Sequence, residues 1–67
     1  MYWTLVHGWG TDPSKHVSVD YYKKASAKKA MLYLFDIYQK QLEEHKAPAG
    51  LFTCIIKAKG VENNGLN

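Results

Sequence analysis

The chain contains no arginine, a single cysteine, only two prolines, and no long run of apolar residues. Each shortage excludes something. One cysteine cannot form an intrachain disulfide, and it leaves a structural zinc site short of sulfur ligands. A reduced, cytoplasmic setting is the simplest expectation for such a chain. Without arginine there is no planar fork to grip phosphates or guanine edges bidentately, which weighs against a dedicated reader of DNA sequence. No segment approaches the roughly 18 apolar residues of a membrane span. No basic stretch leads into an apolar run at the N-terminus, so no secretory signal is expected.

What is present demands a core. Hydrophobic residues make up 46% of the 67 positions and aromatic residues 13%, too apolar a composition for a disordered chain. This length allows one domain. Such a domain buries only roughly 60% of the surface its unfolded chain exposes, so its intrinsic stability is thin. With no disulfide to help, association with a second copy is the expected supplement. Nine lysines against six carboxylates leave a net charge of +3, a modestly basic balance.

Residues Tyr2 to Val6 alternate bulky groups on both sides and read as a strand, ending at Gly8-Trp9-Gly10. Thr11-Asp12-Pro13-Ser14 is turn chemistry. His16 to Tyr22 alternates again, with Val17, Val19 and Tyr21 on one side, and predicts a second short strand in a wide hairpin. From about Ala25 to His45 the period becomes helical. Ala27, Met31, Leu34, Phe35, Tyr38, Leu42 and His45 fall on one face, bordered by Ala30, Ile37 and Gln41. The small Ala27 and Ala30 let the helix lie close to a sheet near its start, and Leu34, Tyr38 and Leu42 fill a wider gap beyond. Asp36 and Lys40 form an i,i+4 pair on the far side. Ala47-Pro48-Ala49-Gly50 turns the chain, and Leu51 to Ala58 is the clearest strand. The expectation is an α+β fold: a small β-β-α-β domain over residues 1–60, with a three-stranded sheet and one long amphipathic helix packed on one face. Residues 61–67 read as a flexible tail. The second sheet face is expected to keep aromatic and aliphatic groups, because Trp3, Leu5, Leu51 and Ile55 cannot readily share a covered face with Tyr2, Val6, Phe52, Cys54 and Ile56. A homodimer would cover it.

No catalytic constellation emerges. His7, His16, His45 and Cys54 are metal-ligand types, but their spacing places no two on one turn, so no metal is expected. Cys54 sits mid-strand between Thr53 and Ile55, where a small thiol fills a core rather than attacks a substrate. Gly8-Trp9-Gly10 lacks the further glycines and the lysine of a phosphate loop. Trp9 then serves either to plug the end of the core or to anchor a partner. Leu32 and Tyr33 lie off the buried stripe and widen the apolar surface of the helix. Lys23, Lys24, Lys28 and Lys29 gather near the helix start, against its dipole, a placement that suits an acidic protein surface or nucleic-acid phosphates. Taken together these features point to a non-catalytic protein-binding module, such as an inhibitor, adaptor or regulatory subunit, with no cofactor and with Trp9, Leu32 and Tyr33 as contact residues. The alternative is nucleic-acid binding through the four lysines and aromatic side chains of the sheet.

Overall fold

The computed structural model describes residues 1–60, and the expected tail 61–67 lies outside the described residues. The element order is β1 (Tyr2–Trp9), a short 3-10 turn (Pro13–Lys15), β2 (Val17–Tyr21), α1 (Lys24–Glu43) and β3 (Phe52–Lys59). The three strands form one open antiparallel sheet in the order β2-β1-β3, with α1 against one face. This is the expected α+β domain.

β1 runs three residues beyond the expected stop at Val6. Gly8 within the strand and Gly10 just past it divide the work. Gly8 pairs with Thr53 inside the ladder, whereas Gly10, at a left-handed φ of 74°, ends the strand and donates its N–H to the Leu51 carbonyl at 2.9 Å. Gly8 is small for another reason: a Cβ there would lie 2.7 Å from His16 Cδ2 and 3.1 Å from His16 Cα. His16 therefore folds over the end of the sheet, and its Nε2–H donates to the Gly10 carbonyl at 3.0 Å. The turn that delivers it is capped by Asp12, whose Oδ1 accepts from Ser14 N at 3.0 Å and from Ser14 Oγ at 2.8 Å.

Register sorts the side chains. Opposite Trp3, Leu5, His7 and Trp9 of β1 stand Ala58, Ile56, Cys54 and Phe52 of β3, and Tyr21, Val19 and Val17 of β2 answer the first three. These share the α1 face, because directly opposed residues in an antiparallel pair point the same way. The bare face carries Tyr2, Thr4, Val6 and Gly8, flanked by Lys59, Lys57, Ile55 and Thr53 on one side and by Asp20 and Ser18 on the other. It is more polar than the composition of the strands suggests. Trp3 and Leu5 share the covered face with Phe52, Cys54 and Ile56, so the crowding expected between those groups does not arise.

The helix presents its predicted stripe to the sheet. Ala27 is fully buried, and Met31, Leu34, Tyr38 and Leu42 are half-buried. Its C-terminus is reached at Glu43, two residues before the expected end at His45. There Lys46 N–H bonds the Gln41 carbonyl at 2.9 Å and His45 N–H the Leu42 carbonyl at 3.2 Å, with His45 at φ 57°. That is a Schellman closure with histidine in the left-handed position usually given to glycine. The Lys40–Asp36 pair forms at 3.2 Å as expected, between exposed groups.

Two outcomes follow in chemical denaturation. Leu5 is wholly enclosed on the central strand, so Leu5→Ala is expected to remove about 3 kcal/mol of stability. His45→Gly relieves the left-handed conformation and is expected to raise stability by about 0.5–1 kcal/mol. A shift of the urea midpoint in the same direction for both variants would contradict the account.

Candidate functional site

Along the second half of α1 the space against the sheet is filled by rings. Trp9 meets Tyr38 edge-on with centroids 4.8 Å apart, Tyr38 stacks on Phe52 at 4.9 Å, and Phe35 approaches Phe52 at 5.1 Å. Perpendicular and stacked contacts of this kind suit the ring quadrupoles. Trp9 is therefore a half-buried member of the core's ring-filled end, placed by β1 rather than by a free loop.

Beside this cluster His7 Nδ1 lies 2.8 Å from the Tyr38 hydroxyl. Burial lowers the His7 pKa, and the charge of His16 lowers it further. The neutral ring accepts the hydroxyl proton at Nδ1, whereas protonation would turn both ring nitrogens into donors. Desolvation likewise raises the Tyr38 pKa. Cys54, directly opposite His7 in the ladder, donates its thiol to the Met31 carbonyl at 3.4 Å, and burial pushes its pKa up. Both effects favour the protonated thiol over a nucleophilic thiolate. Among the described residues no three His, Cys, Asp or Glu side chains converge as a metal site requires.

The three residues expected to contact a partner do not form one surface. Leu32 and Tyr33 are 58% and 70% exposed, but successive residues point about 100° apart around a helix. Leu32 stands one turn before Phe35, on the flank that leans over β3. Tyr33 borders a shallow hollow with Ser26, Lys29 and Ala30 on the opposite flank. The surface that does form was not anticipated. Leu32 and Phe35, the latter 45% exposed, overhang the β3 edge on the helix side, while exposed Ile55 borders the same edge from the bare face and exposed Leu51 immediately precedes it. β3 pairs with β1 alone, so its outer edge is open along Phe52–Lys59.

The four expected lysines sit at the opposite end. Lys23 is the helix N-cap residue without a side-chain capping bond, Lys24 opens α1, and Lys28 and Lys29 follow one turn later with no acidic residue in the first turn. Among the described residues no helix is long and apolar enough to cross a membrane. No protein family matches the chain, and neither the curated proteins nor the solved structures provide a match.

The state of His7 gives a pH dependence. Its folded pKa lies below the ordinary 6.5, so between the two values the unfolded chain holds more protons than the folded one. Stability is then full above pH ~6.5 and falls as pH drops toward the folded value. Urea midpoints at pH about 7.5 and about 5 are expected to differ in that sense, and His7→Phe is expected to flatten the difference. An NMR titration placing the His7 midpoint above its ordinary value would reverse the sign and refute the assignment.

Proposed function

We propose that the chain is a non-catalytic protein-binding module that works through the β3 edge and the apolar flank above it, and that its first partner is a second copy of itself. One observation carries this reading. The exposed Leu32, Phe35, Leu51 and Ile55 collect around the longest unpaired strand edge in the sheet. Open edges are ordinarily blunted by charge, proline or a bulge. Here the stretch Phe52–Ile56 has none of these, and Lys57 and Lys59 occupy only its far end.

Two β3 edges can pair antiparallel about a two-fold axis perpendicular to the sheet. Such an axis keeps both helices on one face. With Ile55 opposite its own copy, Lys57 faces Thr53 and Lys59 faces Leu51, so no lysine meets a lysine. On the helix side Ile56 meets Cys54 and Ala58 meets Phe52. An eight-residue strand is about 27 Å long, and with the helix flank the strip is on the order of 15 Å tall. Roughly 800 Å² in total would be buried, below the standard size of specific interfaces, so the self-association is expected to be weak and reversible. An adaptor, inhibitor or regulatory subunit would use the same edge by lending it a strand of its target. The protonated, inward-turned Cys54 thiol suits a reducing compartment such as the cytoplasm.

Sedimentation equilibrium over micromolar concentrations is expected to show reversible dimerisation. Ile55→Lys sets two like charges directly opposite at the axis and is expected to weaken association at least tenfold, a loss of about 1.4 kcal/mol, without unfolding the domain. A monomer at every concentration would refute self-pairing, and capture of the same proteins by wild type and Ile55→Lys baits would refute the edge as the binding surface.

A further inference from the structure

The register brings together, at the end of the sheet remote from Trp9, residues that are far apart in the chain. On the bare face Tyr2 stands opposite Lys59, and Thr4 stands between Lys57 and Asp20. Tyr22, which is 90% exposed, and Lys23 continue directly from β2. Tyr2, Asp20, Tyr21 and Tyr22 surround a half-open hollow of about 420 Å³.

Charge is concentrated at the same end. Lys23, Lys24, Lys28, Lys29, Lys57 and Lys59 are six of the nine lysines, and among the described residues Asp20 is the one carboxylate with them. Among the described residues the other carboxylates, Asp12, Asp36, Glu43 and Glu44, lie in the β1–β2 turn, in the second half of α1 or at its C-cap. Both ion pairs of the described residues, Lys40–Asp36 and Lys46–Glu44, lie at that other end, and neither involves the six basic-end lysines. Keeping a helix wetted accounts for Lys24, Lys28 and Lys29. It does not account for Lys57 and Lys59, which arrive from a different strand on the other face.

We propose that this end binds single-stranded nucleic acid, with the lysines holding phosphates and one base entering the tyrosine-lined hollow. This goes beyond the protein-binding reading and does not depend on it. Lysine without arginine is suited to point-charge contact with a backbone and not to bidentate reading of base edges. Exposed ring faces can stack only on bases that are not already stacked in a duplex. Asp20 supplies polarity to the hollow. One of its oxygens accepts the Thr4 hydroxyl at 2.7 Å, and the carboxylate repels phosphate while accepting from a base amino group. A bound strand is thereby oriented with its bases inward and its backbone toward Lys57 and Lys59.

The test is fluorescence anisotropy with labelled single-stranded DNA and RNA oligonucleotides, and with a duplex of the same length. Single strands are expected to bind more tightly than the duplex, and four phosphate contacts would weaken binding about 50-fold between about 50 and about 200 mM salt. The Lys57→Gln, Lys59→Gln double variant is expected to reduce the logarithmic salt slope by about 1.4, Tyr22→Ala to weaken binding about tenfold, and Lys40→Gln at the other end to change nothing. Circular dichroism confirms that each surface variant is folded. Three results overturn the proposal: no binding at low salt, equal weakening by Lys40→Gln, or indifference to Tyr22→Ala with polyglutamate competing as well as the oligonucleotide. The last would assign the end to an acidic protein.

Discussion

The layer between helix and sheet is sealed at very few points, and the rest of the molecule is arranged around that scarcity. Leu5 and Ala27 are the only fully buried hydrophobic side chains among the described residues. A methyl group at Ala27 lets α1 approach the sheet closely, and one branched side chain on the central strand fills the space. From there along the helix the layer takes larger groups: Met31 and Leu34, then Tyr38 with Trp9 and Phe52. This end depends on ring geometry because rings offer the most area per side chain. It closes incompletely, which is why Phe35 stays partly in water and why His7 keeps a polar neighbour.

One helix cannot roof three strands. Val17 and Val19 of β2 lie on the helix side and are nevertheless exposed, while Phe35 and Leu32 spill toward β3. The helix axis thus favours the β1–β3 half, and the two outer edges differ in kind. β2 offers five residues that include Asp20, whereas β3 offers eight with an apolar shoulder above them. The basic end has a separate origin. It is produced by the ladder, which aligns the finish of β3 with the start of β1 and the finish of β2. The two proposed surfaces draw on different forces, apolar burial in one case and long-range charge in the other, and salt is expected to affect them unequally.

Local chemistry made most of the fold legible. Helical spacing from Ala27 to Leu42 and the alternation of Phe52 to Ile56 fixed those elements before any tertiary contact was known. The extension of β1 through Gly8 was not legible, since glycine ordinarily signals a break. Only the approach of His16 explains why a small residue belongs inside the ladder. Which strand faces coincide was also hidden, because alternation gives two faces per strand but not their phase relative to a neighbour. For that reason the predicted trio Trp9, Leu32 and Tyr33 dispersed, while Lys57 and Lys59 joined Tyr2 unforeseen. The run Lys23, Lys24, Lys28 and Lys29 was visible because it is contiguous on one element. Its strand counterpart required the register.

The place of β1 in the sheet has a consequence for biosynthesis. The first of the three strands in chain order is the central one, and its pairs Tyr2↔Lys59 through Trp9↔Phe52 span nearly all of the described residues. A nascent polypeptide that has emerged only through α1 can form the β1–β2 hairpin and a helix, but the helix then lacks half the surface it rests on. Closure waits for β3, so the ribosome must expose that strand before these elements can pass from a loose hairpin and helix to a cooperative unit. Until that moment the covered face of β1, with Trp3, Leu5 and Trp9, is open to whatever else in the cell binds apolar strands.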